Sequence, residues 1–292
     1  MKLIELIGNT PLLELEHILV KKNVKIYAKL EGDNPGGSVK DRTAYGMIKG
    51  ALDRGEIKTG DKLVEATSGN TGIALAMIAN IMGLEMTLIM PDNSTRERIQ
   101  AMEAYGATVI LTPSAQTIEY SRELAEKMAH DEGYVLLNQF SNQDNVSIHY
   151  QTTGPEIWRD TSGQITHFVS AMGTTGTIMG VSRYLKEQNQ AVQIIGTQPS
   201  DNSNIPGIRR WSPEFLPAIF EKKRVDRILD VSEHHARIFT KRLAKEEGVL
   251  AGMSSGGALS AALEIANEIQ SGVIVFIVCD RGDRYLSSDL FS

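Results

Sequence analysis

Apolar positions along the chain follow two alternating patterns. Short runs rich in β-branched residues give way to longer segments with helical spacing, the pattern of strands that feed amphipathic helices. The strands predicted are Val24 to Leu30, Leu63 to Ala66, Glu85 to Met90, Thr108 to Leu111 and Tyr134 to Leu137, then His167 to Ser170, Val192 to Gln198, Arg227 to Val231 and Val273 to Cys279. Helical period spans Lys40 to Arg54, Thr71 to Met82, Thr95 to Tyr105, Thr117 to His130, Gly176 to Gln188, His234 to Glu247 and Gly257 to Gln270. Such alternation predicts an α/β protein with doubly wound, open parallel sheets. The 292 residues suit about two domains, and the polar stretch Ser141 to Asn145 is the best boundary between them. No heptad run, short repeat or Pro/Ser tether interrupts the pattern, so the two domains should meet directly.

Composition narrows the function classes. Hydrophobic residues at 41% and charged residues at 23% are ordinary for a folded protein. A net charge of -6 opposes binding to nucleic acid. The apolar runs Ile73 to Ala79 and Val273 to Cys279 are too short for a membrane span, and Glu5, Gly8 and Pro11 interrupt any signal-like stretch. The single cysteine, Cys279, fits a reducing compartment, and a cytoplasmic location is expected.

Four strand-to-helix loops carry unusual chemistry. In Asn34 to Arg42, a Gly-rich turn leads to Ser38, the expected N-cap, with Asp41 completing a capping box. Lys40 then sits in the first helical turn, where the macrodipole favours a neutral amine able to attack a carbonyl. From this loop alone, an exposed lysine on a capped helix is the simpler reading. Glu65 to Gly72 places small and hydroxylated residues before a helix beginning near Asn70, either an ordinary cap or a carboxylate nest. Met172 to Thr177 concentrates two glycines and three threonines at a helix start with no cation nearby. That suits one phosphate held by backbone amides, and the loop is neither a Walker A nor a dinucleotide fingerprint.

Gly252-Met253-Ser254-Ser255-Gly256 matches the hydrolase nucleophile elbow, yet all six histidines precede Ser254, so the α/β-hydrolase order of Ser, acid and His is impossible. No metal-ligand spacing occurs, and the adjacent His234 and His235 read as surface residues; no metal is expected. Arg209 and Arg210 suit an anionic substrate or a surface salt-bridge loop. Cys279, within a Cys-Asp-Arg-Gly-Asp-Arg cluster, reads more simply as packing than as a reactive thiol.

Taken in order along the chain, these loops closely resemble the cysteine synthase family of fold type II pyridoxal phosphate enzymes, the tryptophan synthase β-like fold. The resemblance covers essentially the whole chain. It is carried by Ile7 to Leu12, the Lys40 loop, Thr67 to Thr71, Gln139 to Asn142, Thr153 to Trp158, Gly173 to Thr177 and Ser254 to Gly257. It implies that Lys40 bonds the cofactor covalently and moves the substrate's Cα proton. It further implies that Asn70 meets the cofactor's 3'-oxygen, that Gly173, Thr174, Thr175, Gly176 and Thr177 hold its phosphate, and that Ser254 faces the pyridine nitrogen. Thr67, Ser68, Gly69, Thr71 and Gln139 would hold the substrate carboxylate. A smaller mobile domain, 35–144 with 1–11, would close on a larger phosphate-binding domain, 145–292 with 12–34.

The activity implied is replacement of the acetate of O-acetyl-L-serine by a sulfur nucleophile. Arg209, Arg210 and Trp211 with the Cys279 cluster resemble the B-type branch, which accepts thiosulfate as well as sulfide; Arg209 and Cys279 would line the pocket for that dianion. A homodimer is implied. The early end at Ser292 puts any role of a C-terminal tail in question. Rival readings are a cystathionine β-synthase, a threonine synthase or serine dehydratase, or a non-catalytic partner of serine acetyltransferase. Retention of Lys40, Asn70 and Ser254 opposes the last.

Overall fold

The strand pattern resolves into two sheets in a computed structural model, which describes residues 1–19, 21–67 and 69–292. In chain order the elements are β1 (Leu12–Glu14), β2 (Val24–Leu30), α1 (Lys40–Asp53), β3 (Lys62–Ala66), α2 (Asn70–Ile81), β4 (Glu85–Pro91), α3 (Arg96–Ala104), β5 (Thr108–Thr112), α4 (Thr117–Asp131) and β6 (Val135–Leu136). They continue as α5 (Asp144–Ile148), a π-helical turn (His149–Thr153), α6 (Gly154–Asp160), β7 (His167–Ala171), α7 (Gly176–Gln188), β8 (Gln193–Pro199), β9 (Arg227–Val231), α8 (Glu233–Glu247), α9 (Met253–Glu268) and β10 (Gly272–Val278).

One sheet has the order β5-β4-β3-β6 and is wholly parallel; the other runs β1-β2-β10-β7-β8-β9. All pairs of the larger sheet are parallel except β1 with β2. The three-residue β1 carries too little pattern to be read from sequence and is an antiparallel edge. β10, Gly-Val-Ile-Val-Phe-Ile-Val, is apolar throughout because it lies between β2 and β7 with helices on both faces. Ala258, Leu259 and Ala262 of α9 pack on one face with Ile26 and Phe276. Ile178, Met179 and Leu185 of α7 cover the other, against Phe168 and Val275. In the smaller sheet α1 and α2 bury Met47, Ile48, Leu75 and Ile78 against Leu63 and Leu88, while Ala125 and Met128 of α4 cover the opposite side with Val64 and Ile89.

The stretch Ser141 to Asn145, the expected boundary between domains, leads into α5. Asn145 is fully buried, and its amide donates to the Gln139 carbonyl at 2.8 Å and to Thr174 Oγ1 at 3.0 Å. Its polarity serves an internal bond between the turn after β6 and the loop after β7.

Candidate active site

The loops after the carboxyl ends of strands from both sheets open into one cavity of about 450 Å³. Lys40, Thr67, Gly69, Asn70, Thr71, Gln139, Gly173, Thr174 and Arg209 all line it, so the structure brings together most of the residues singled out by sequence. Ser68 lies outside the described residues.

Lys40 opens α1 as expected, but the capping box does not form. The Gly36–Gly37 turn, with Gly37 at φ +84°, folds the chain back so that Asp41 Oδ2 accepts the Gly36 N–H at 2.5 Å. Val39 becomes the N-cap, and Ser38 Oγ accepts the Lys40 N–H at 3.2 Å. The loop is held to the end of β10 by the Val39 N–H, which donates to the Cys279 carbonyl at 2.8 Å. Burial pushes the Lys40 amine below its ordinary range, against the nearby Cys279 and Asp280, and favours the neutral nucleophile.

Asn70 is gripped at both ends of its amide. Its Nδ2 donates to Asp280 Oδ2 at 2.7 Å and its Oδ1 accepts from Arg284 Nη1 at 2.5 Å. Tyr285 Oη adds a donor to Asp280 Oδ2 at 2.6 Å, and a second Arg284 nitrogen donates to the Gly36 carbonyl. The charged cluster after Cys279 thus supports Asn70 and the Lys40 loop together. Thr71, at the start of α2, donates its hydroxyl to Gln139 Oε1 at 2.8 Å, joining the two segments expected to hold a carboxylate.

Gly173 and Thr174 form the cavity wall, with Thr175 and Gly176 buried beside them. Thr175 takes φ 72° as the N-cap of α7, and its hydroxyl is buried without a partner among the described residues. Thr177 Oγ1 lies 3.3 Å from His149 Nε2. A Cβ on Gly173 would come within 2.7 Å of the Gly207 carbonyl, and one on Gly176 would collide with Asn145 Oδ1. Glycine is therefore required where the start of α7 packs against the Gly207 carbonyl and the Asn145 side chain.

Ser254, at the first turn of α9, and Cys279 do not line the cavity directly. Ser254 sits behind Gly207, 3.5 Å from where a Cβ on that residue would stand. Burial pushes the Cys279 thiol up to about 12, reinforced by Asp280 and opposed by a hydrogen bond from Ser254, so sulfur here is a packed thiol rather than a thiolate. Arg209 and Arg210 part company. Arg210 forks onto Asp230 at 2.9 to 3.0 Å as a surface pair, whereas Arg209 lies over the Trp211 ring, 5.5 Å from its centroid, and faces the cavity.

Sequence reasoning missed three groups. Arg98 and Arg122 line the cavity with Arg209 and Lys40, and no Asp or Glu lines it among the described residues. Arg98, in the first turn of α3, and Arg122, within α4, are separated in sequence from any chemical motif. Buried His149 places Nδ1 2.8 Å from Thr153 Oγ1 and Nε2 3.4 Å from Thr43 Oγ1. Desolvation, then Arg42 and Lys40, hold its ring well below the usual imidazole range and hence neutral. Beneath the Lys40 helix, Arg42 is fully buried between Glu31 and Glu156, a network no local motif signals.

These features fit pyridoxal phosphate. A lysine with a depressed amine faces the cavity, an orphaned threonine hydroxyl and a glycine-lined helix start await an anion, and the wall is cationic. The comparisons agree. The family model "Pyridoxal-phosphate dependent enzyme" matches residues 3–280. Cysteine synthase B of Pseudomonas aeruginosa is 56% identical over 98% of this chain and 95% of its own, and that of Escherichia coli 55% identical over 98% and 94%. The crystal structure of cysteine synthase from Entamoeba histolytica superposes with a TM-score of 0.93 at 38% identity, covering 99% of this chain and 90% of that one. Sequence, fold and cavity therefore place this chain in the pyridoxal-phosphate dependent enzymes, as a member of their cysteine synthase family.

Proposed function

We propose that the protein converts O-acetyl-L-serine and sulfide to L-cysteine and acetate, and with thiosulfate forms S-sulfo-L-cysteine. The carrying observation is the cavity itself: the neutral-favouring Lys40 amine lies among Arg98, Arg122 and Arg209, with no lining carboxylate among the described residues. That field suits an anionic cofactor, a substrate carboxylate and an anionic nucleophile at once.

Bound pyridoxal phosphate supplies the electron sink that acidifies the substrate's Cα–H and lets the β-substituent depart. Gly173, Thr174, Thr175, Gly176 and Thr177 at the start of α7 would hold its phosphate, Asn70 would meet the 3'-oxygen, and Ser254 would serve the ring nitrogen. A serine hydroxyl does not keep that nitrogen protonated as a carboxylate would, which is adequate when acetate is the leaving group. Lys40 Nζ would hold the cofactor and, as the base of the reaction, would take the substrate's Cα proton and give it back once sulfur stands at Cβ. The α2 N-terminus with Thr67, Ser68, Gly69, Thr71 and Gln139 binds the carboxylate.

Arg209, facing the cavity over Trp211, attracts the thiosulfate dianion, while Cys279 is packed near Lys40. The smaller body, 35–144 with 1–11, closes on the larger, 145–292 with 12–34, and excludes water. This reading is supported by the division of strands, since β3 to β6 form one sheet and β1, β2 and β7 to β10 the other. A cytoplasmic homodimer completes it.

The test is the visible absorption of the holoenzyme as O-acetylserine and then sulfide or thiosulfate is added, with products weighed by mass spectrometry. The cofactor band should shift with the first addition and return with either donor, releasing cysteine or S-sulfocysteine. Lys40→Ala should lose the covalent link, read after borohydride reduction, and all turnover. Retained turnover in that variant would sink the mechanism.

A further inference from the structure

Glu65 is a buried carboxyl that none of the chemistry above uses. It lies near the end of β3, two residues before Thr67, and is 5% exposed. Its Oε2 accepts the backbone N–H of Asn138 at 3.2 Å, reaching from β3 to the turn that follows β6. That turn is otherwise self-contained: Asn138 takes φ 50°, its Oδ1 accepts the Phe140 N–H at 3.2 Å, and its carbonyl accepts from Ser141 and Asn142. The next residue, Gln139, faces the active-site cavity and accepts from Thr71. Glu65 and the Thr71–Gln139 bond therefore close a ring joining β3, its following loop and the Asn138–Gln139 turn.

A second cavity of about 300 Å³ borders Glu65 and shares Ala66, Arg122 and Phe140 with the active-site cavity. The charged groups facing the carboxyl there are Arg122 and Glu126, both on α4. Leu88 of β4 pairs with it in the sheet, Leu136 of β6, which pairs with Val64, lines the same cavity, and the loop 215–218 contributes only Phe215, Leu216, Pro217 and Ala218. We propose that Glu65 is the positioning residue of the substrate-carboxylate site, its charge state setting how firmly the Asn138–Gln139 turn is held against the loop after β3. The proposal rests on the reading that these segments hold the substrate carboxylate. Burial pushes Glu65 up to about 7, opposed by the Asn138 N–H and by Arg122, so the bond changes from neutral to charge-assisted within the working range.

Glu65→Gln keeps an oxygen acceptor but fixes it as neutral. In the holoenzyme, amide hydrogen exchange across 137–142 should match wild type at pH 6 and be about fivefold faster than wild type at pH 8. The ratio of variant to wild-type KM for O-acetylserine should climb by a similar factor over that range, with kcat unchanged within about twofold; the substrate's own ionisation cancels in the ratio. Ratios that stay flat with pH overturn the proposal, as does an exchange ratio that moves while the KM ratio does not. If the variant fails to fold, the wild-type protection factor of the same amides carries the test and should rise through pH 7. Absence of O-acetylserine turnover in wild type would count against the proposed activity, whereas the exchange ratio reads Glu65 independently.

Discussion

Removing Arg42 is the sharpest perturbation the structure offers. Its guanidinium, two residues after Lys40, is fully enclosed. Nε donates to Glu31 Oε2 at 2.7 Å, Nη1 to Glu156 Oε1 at 2.7 Å, and Nη2 to Glu31 Oε1 at 2.8 Å, Glu156 Oε2 at 2.7 Å and Thr10 Oγ1 at 3.2 Å. In Arg42→Ala, Glu156 keeps Lys29 at 2.8 Å, but Glu31, with no exposed surface, keeps only Thr10 and Asn34. An unpaired charge left in such a place costs about 3–5 kcal/mol, comparable with a third or more of a typical domain's stability. The sign of the pH dependence follows. Burial alone would raise Glu31 and Glu156, but Arg42 holds Glu31 below its ordinary value and, with Lys29, Glu156 down to about 2. Their contribution in wild type is therefore present above about pH 4.5 and fades as pH falls toward 2. In the variant Glu31 has lost its partner and its carboxyl should rise instead, so the deficit should be larger at pH 8 than at pH 5. Urea unfolding of both proteins at the two pH values, followed by circular dichroism, measures it. A loss below about 1 kcal/mol, or one independent of pH, would show that water reaches Glu31 and refute the reasoning.

Two substitutions test the cavity wall. Gly176→Ala forces a methyl group onto Asn145 and should displace the start of α7, weakening pyridoxal phosphate binding at least about tenfold while the apo chain stays folded; equilibrium dialysis against the cofactor measures this. Arg209→Gln removes a cation that faces the cavity over Trp211, with Glu119 the acid acting on it, and should lower kcat/KM for thiosulfate about tenfold or more while changing sulfide by less than about threefold. Equal losses for both donors would assign Arg209 to packing rather than to the dianion.

Legibility from sequence followed the locality of the signal. β2 and β9 run between the residues their patterns predict, because one alternating or apolar run defines each strand. Gly173 to Thr177 was readable because five neighbouring residues form a cap. The helical stretch 144–160 was not readable, since Asn145, His149 and Thr153 are polar residues turned inward and supply no amphipathic stripe. Ser38 and Asp41 showed correct capping chemistry, but the Gly36–Gly37 turn offered Asp41 a different N–H, a competition settled by backbone path. Arg42 with Glu156, and Asn70 with Asp280, pair across more than a hundred residues, and only the folded sheets bring them together.

The position of β10 also dictates the order in which the molecule can be completed during synthesis. The four strands of the smaller sheet are contiguous in the first half of the chain and can assemble as soon as they emerge. The larger sheet stays split, β2 on one side and β7 on the other, until β10, which follows β9 and pairs Val278 with Leu30, has been made. Only then do Cys279, Asp280 and Arg284 reach the segment that carries Lys40. A nascent chain therefore has no finished cofactor site, and slow closure of β2 on β10 should be the step that chaperones or premature truncation most affect.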